Sequence, residues 1–185
     1  MSPREAAALL ALCSLHVALS QVTRHIGFVA TASTTYEDPY LLARKFASLD
    51  HISKGRAAWN IITSQTPVAL AAYGLPHGFD QDERYRRATE FVEIVTGLWD
   101  SLPREAIVAD RDRHVFVDEA LVRPIAVAGR HFSSRGALSA PVGPQGRPVI
   151  FQAGASVDLG HGYRIGARFL TYRGWPDEGT RPGLG

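Results

Sequence analysis

The stretch IGFVATA (26–32), STTYED (33–38), PYLLARKFASLDHISKG (39–55) and RAAWNIIT (56–63) decides the fold. Its first segment is a continuous apolar run, the pattern of a strand buried on both faces. Asp38 followed by Pro39 reads as an N-cap with proline at the first helical position. The helix it opens runs to Ser53 and stops at Gly55. Leu42, Phe46, Leu49 and Ile52 form its apolar stripe. AAWNIIT (57–63) is a second run of strand length, so residues 26–63 read as one βαβ unit with parallel strands and a right-handed crossover.

Downstream, residues 64–80 carry Pro67, Gly74, Pro76 and Gly78 and read as irregular. Asp80 then caps a D-x-x-E box with Glu83. The helix that follows places Tyr85, Ala88, Phe91, Val92, Val95, Leu98 and Trp99 on one face. Beyond Trp99 the pattern loosens. HVFVD (114–118) reads as a short strand, 129–146 is rich in Gly and Pro with weak strand signals at His131 and Phe132, and RPVIFQA (147–153) is a third buried strand. Seven glycines break every periodicity in the 29 residues from Val157 to Gly185. The expected organisation is therefore an α/β body over 1–156 and a divergent, irregular tail over 157–185.

The first twenty residues admit two readings. AAALLALC (6–13), with Arg4 before it and Ala18-Leu19-Ser20 after it, has the outline of a secretory signal. Glu5, His16 and the continuation through Val22 favour a buried helix of an α/β protein instead, with Cys13 an inert core thiol. The apolar run is too short to span a bilayer.

Composition removes several classes. At 185 residues, with 45% hydrophobic and 21% charged positions, the chain is neither disordered nor collagen-like. It is shorter than the roughly 250 residues of a complete (β/α)8 barrel. Twenty Lys and Arg against 18 Asp and Glu give a net charge of +2, too little field to select nucleic acid or acidic lipid. The single cysteine excludes an internal disulfide and points to a reducing, cytoplasmic compartment.

The chain also lacks the usual chemical signatures. Its seven histidines include no i,i+4 pair, no H-x-E and no H-E-x-x-H, so no metal site is expected. G-x-S-x-G, P-loop and G-x-G-x-x-G patterns are absent, and no catalytic residue can be named. An enzyme of this kind would rely on a cofactor. Ser156, in the Gly154-Ala155-Ser156 turn after a buried strand, could face a phosphate or be an ordinary polar turn. Tyr85, between Arg84 and Arg86-Arg87, reads either as a half-buried core tyrosine over a solvated basic face or as a phosphate contact.

TASTTYEDPYLLARKFASLDHISKGRAAWNIITSQ (31–65), DERYRRATEFVEIVTGLWDSL (82–102) and PQGRPVIFQAGAS (144–156) together resemble the nitrilotriacetate monooxygenase component A group of the bacterial luciferase-like flavin-dependent monooxygenases. The resemblance covers residues 25–156. It implies an incomplete (β/α)8 TIM barrel with parallel strands and outer helices. It also implies a two-component monooxygenase that takes reduced FMN from a separate NAD(P)H-dependent flavin reductase and oxidises a small organic substrate with O2, in a homo-oligomer.

Carried over by position, Thr31 would contact the flavin, while Tyr85 and Ser156 would bind its phosphate end. Gln81 stands where the family has histidine. An amide donates a hydrogen bond but cannot become cationic, so weaker FMN binding is expected. Asn60 would face the same mouth, and the Ala32–Ser33 peptide would be strained or cis. The family's opening strand, with its acidic flavin contact, and its closing strands are not recognisable, so the resemblance implies a truncated barrel with reduced or no activity. The competing reading is a noncatalytic α/β binding module, secreted if the N-terminus is a signal.

Overall fold

The computed structural model describes residues 3–63, 65–75 and 77–152. Helix α1 (Pro3–Val22) leads into strand β1 (Phe28–Ser33), helix α2 (Pro39–Ser53) and strand β2 (Ala57–Ile62). A short helix α3 (Pro67–Ala72) and the long helix α4 (Gln81–Ser101) follow. Two hairpins come next: β3 (Ile107–Asp110) with β4 (Val115–Val117), and β5 (Ile125–Ala128) with β6 (Ser133–Gly136). Strand β7 (Val149–Phe151) then returns to the main sheet, whose order is β1-β2-β7 with both pairings parallel.

Local chemistry accounts for the boundaries. Asp38 accepts a hydrogen bond from Leu41 N at 2.9 Å and Pro39 opens α2. Lys54 takes the left-handed conformation (φ 59°), and the Gly55 amide reaches back to Asp50 O at 2.8 Å. Asp80 caps α4 by accepting from Glu83 N at 2.8 Å. The region read as irregular contains α3, which begins with the same signal of cap and proline: Thr66 Oγ1 accepts from Ala69 N ahead of Pro67.

The core lies between the sheet and α2 and α4. Ala30, Trp59, Ile61 and Ile150 from the strands meet Leu42, Phe46, Phe91, Val95, Leu98 and Trp99 from the helices. Trp59 sits at its centre, with ring centroids 5.9 Å from Phe46, 6.0 Å from Phe91 and 6.2 Å from Trp99. Both indoles find partners: Trp59 Nε1 donates to Ala32 O at 3.1 Å and Trp99 Nε1 to Ala43 O at 3.0 Å. Cys13 is half-buried against this core, and burial pushes its thiol pKa up.

Three expectations need correction. The strands are not buried on both faces: Val29 is 41% and Val149 42% exposed, because α2 and α4 cover one side only. Ile52 lies outside the apolar stripe of α2. The 3.6-residue period carries the buried face from Leu49 to Ser53, and Ile52 falls about 100° away from it in solvent. The second hairpin's returning strand is Ser133–Gly136 rather than His131–Phe132. The predicted tail, 157–185, lies outside the described residues. Among the described residues, no helix is long and apolar enough to cross a membrane.

The amino ends of the strands are closed by polar hubs. Asp50, fully buried, accepts from Gln145 Nε2 at 2.5 Å, which also donates to Ala57 O at 2.6 Å. Position 143 must be glycine there, since a Cβ would overlap the Asp50 carboxylate. Arg56 donates to the carbonyls of Ser20, Thr23, Ile26 and Ser53 at 2.7–3.1 Å, tying the end of α1 to the start of β1 and β2.

Candidate functional site at the carboxyl ends of the strands

Alternation along each strand sorts the side chains. Trp59 and Ile61 point into the helix-packed core, so Asn60 projects from the opposite face. Thr31 is its direct partner across the β1–β2 pairing, and Phe151 is its partner on β7. Thr31, Asn60 and Phe151 therefore make one row, all half-buried, toward the carboxyl ends of β1 and β2. Within that row Asn60 Nδ2 donates to Thr31 Oγ1 at 3.1 Å. Sequence reasoning singled out both residues, and the structure joins them.

Above this row, the loops after β1 and β2 are held together. Thr34 N donates to Ile62 O at 3.0 Å, and the Thr34 and Thr35 hydroxyls reach Ile62 O and Thr63 O at 3.4 Å each. Tyr36 stacks on Tyr73 with centroids 4.6 Å apart and planes 17° from parallel, and burial pushes the Tyr36 phenol pKa up. The Ala32–Ser33 peptide expected to be cis or strained is trans, and neither residue has a positive φ. The parallel register runs unbroken through Ser33 and Ile62, which requires regular extended backbone.

The start of α4 is anchored to the same rim. Gln65 clasps the chain before the helix: its Oε1 accepts from Phe79 N at 3.0 Å and its amide donates to Phe79 O. Arg84 Nη1 donates to Thr63 O at 3.3 Å, just past the end of β2. Gln81 and Tyr85, four residues apart, share a face of the first turns, where the helix dipole is positive. Gln81 is exposed and Tyr85 half-buried.

The arginines around Tyr85 do not form one solvated basic face. Arg87 lies over the rings of Phe132 at 4.2 Å and Phe79 at 5.2 Å, and burial lowers its pKa. Arg86 alone is mostly exposed, near Asp82 and Glu83. Each of the three cations therefore has its own partner: the Thr63 carbonyl for Arg84, two aromatic rings for Arg87 and the carboxylates of Asp82 and Glu83 near Arg86. Gln65 and the Tyr36–Tyr73 stack escaped the sequence reading, because each depends on a pairing across loops that no local pattern announces. Ser156 lies outside the described residues. Among the described residues, no group of three His, Cys, Asp or Glu side chains could hold a metal ion.

The donors at this rim are neutral apart from the arginines of α4. Hydroxyl, amide and phenol groups can hydrogen-bond carbonyls and nitrogens of a polar ligand, and a helix amino end favours an anion such as phosphate. A family model described as luciferase-like monooxygenase matches residues 6–181. N-acetyl-S-(2-succino)cysteine monooxygenase of Bacillus subtilis (strain 168) is 47% identical over 141 residues, 76% of this chain and 32% of that protein. Nitrilotriacetate monooxygenase component A of Aminobacter aminovorans is 45% identical over 143 residues, 77% of this chain and 32% of that protein.

Among solved structures, a long-chain alkane monooxygenase superposes with a TM-score of 0.74 at 39% identity, covering 78% of this chain and 34% of its own. A riboflavin lyase with a modified FMN and riboflavin bound gives 0.73 at 40% identity, covering 79% and 33%. The chain spans about a third of the length of the relatives it matches.

Proposed function

Since the chain belongs to the luciferase-like monooxygenase family and carries part of its parallel α/β barrel, we propose that it contributes the FMN-binding rim of a reduced-flavin monooxygenase. The observation that carries this reading is the Thr31–Asn60 pair, bonded at 3.1 Å on the strand face turned away from the helices and toward the carboxyl ends of the strands. In β/α barrels that end carries the chemistry, while the opposite end carries stability. The hubs at Asp50 and Arg56 fit the second half of that division.

Thr31 and Asn60 would face the flavin ring, and Gln81, Tyr85 and Ser156 its phosphate end. When bound, reduced FMN supplies the electrons and the O2 activation that no side chain here provides. The protein's share is to orient the flavin, exclude water and admit the substrate; the Tyr36–Tyr73 stack ties together the two loops that border the mouth. A separate NAD(P)H-dependent reductase in the cytoplasm would deliver the reduced flavin. The substrate would be a small organic molecule, oxidised at carbon, nitrogen or sulfur.

Turnover belongs to the whole barrel, so the direct test of the site in this chain is flavin binding. Titration should quench FMN fluorescence to saturation, and Tyr85→Phe, which removes one hydroxyl, should weaken binding about tenfold. A protein that leaves FMN fluorescence unchanged at high micromolar concentration would refute the proposal.

A further inference from the structure

Resting on the reading of Thr31 as a flavin contact, we propose that Asn60 is a positioning residue. It fixes the direction of the Thr31 hydroxyl so that its proton is presented to an acceptor atom of the flavin. A threonine hydroxyl carries one proton and two lone pairs and rotates to suit its partners. Asn60 Nδ2 occupies a lone pair of Oγ1 at 3.1 Å, and among the described residues Thr31 Oγ1 donates to nothing. The proton is left for a ligand.

The register makes this arrangement specific. Thr31 and Asn60 are direct cross-strand partners, so the amide needs no detour to reach the hydroxyl. On its other side Asn60 is paired with Phe151, whose side chain offers no hydrogen bond. Trp59 Nε1 donates to Ala32 O at 3.1 Å and locks the two strands one residue away from the pair. A flavin matches the polarity that results, because its ring edges present mostly acceptors and its phosphate presents only acceptors.

Aspartate at position 60 has nearly the same shape but only accepts, so it would draw the Thr31 proton to itself. The experiment is FMN titration of wild type, Thr31→Val, Asn60→Asp and the double variant, with circular dichroism confirming the fold of each. Thr31→Val and Asn60→Asp should each weaken binding about tenfold, and the double variant should be no weaker than Thr31→Val alone. Thr31→Ser, which keeps the hydroxyl, should bind within about twofold of wild type. Asn60→Ala removes the donor without adding charge and should show the same lack of additivity.

Losses that add fully in the double variant would overturn the inference, because Asn60 would then act on the flavin directly or through charge. So would an Asn60→Asp protein that binds like wild type. Wild type that fails to bind FMN would instead sink the flavin reading itself, and the inference with it.

Discussion

Arg56 illustrates how one side chain fixes the end of the sheet opposite the site. Its guanidinium donates from Nε to Ser53 O at 2.7 Å, from Nη1 to Ile26 O at 2.9 Å and from Nη2 to Ser20 O at 2.9 Å and Thr23 O at 3.1 Å. It also lies over the Phe28 ring, 5.0 Å from the centroid. These carbonyls are ones that helix ends and strand entries leave without partners. Lysine carries a point charge on a flexible stem and cannot span the same fan of acceptors. Arg56→Lys should therefore lower stability by about 1–2 kcal/mol and Arg56→Ala by about 3 kcal/mol, read as falls in the urea midpoint. A lysine variant with an unchanged midpoint would show that one bond, rather than the fan, matters.

At the scale of elements, one carboxylate of α4 binds three consecutive amides of the β5–β6 hairpin, beside the Phe91 and Arg87 contacts to the Phe132 ring and the pairing of Glu83 with Arg130 and His131. Glu90 accepts from the amides of Arg130 at 3.1 Å, His131 at 2.8 Å and Phe132 at 3.3 Å. A Cβ at position 129 would overlap that carboxylate, so a larger residue there would push Glu90 off the hairpin amides. Desolvation opposes the charge, but the three amides, led by His131, outweigh it and hold the Glu90 pKa below its ordinary value. A depressed folded-state pKa gives stability that is present above the ordinary carboxylate range and is lost as pH falls through the folded value. Wild type should accordingly exceed Glu90→Gln in urea midpoint at pH 7, and the gap should shrink as pH falls below the ordinary carboxylate range toward the depressed folded-state value. A gap that stays constant with pH would remove the charge from the explanation.

That hairpin also marks the limit of what the sequence disclosed. The βαβ unit was legible because cap, proline, apolar stripe and glycine stop all lie within thirty-eight consecutive residues, 26–63. Helix α4 was legible for the same reason, and with it the shared face of Gln81 and Tyr85. Ser133–Gly136 carries no strand pattern; the α4 side chains that meet the hairpin, among them Glu90 and Phe91, lie some forty positions earlier. The exposed face of β1 was equally hidden, since an apolar run reads alike whether one or both sides are covered. Thr31 and Asn60 could be named separately, but their bond depends on a register that only pairing fixes.

Across the whole molecule, the proposed flavin contacts among the described residues, Thr31, Asn60, Gln81 and Tyr85, come from three elements that the core already joins: β1, β2 and α4. A ligand that touches all three acts on the cooperative unit rather than on one loop. Binding to the folded state alone stabilises by about 2.7 kcal/mol at one hundred times the dissociation constant. For a chain of this size that corresponds to a rise of about 5–10 °C in Tm. Thr31→Val, with binding about tenfold weaker, should lose about 1.4 kcal/mol of that gain at the same FMN concentration while keeping most of its Tm without ligand. Amide exchange should slow in β1, β2 and α4 and stay unchanged in β3–β4, which contributes no residue to the rim. Protection confined to one element, or an equal rise in Tm for Thr31→Val, would mean that FMN binds elsewhere on the protein.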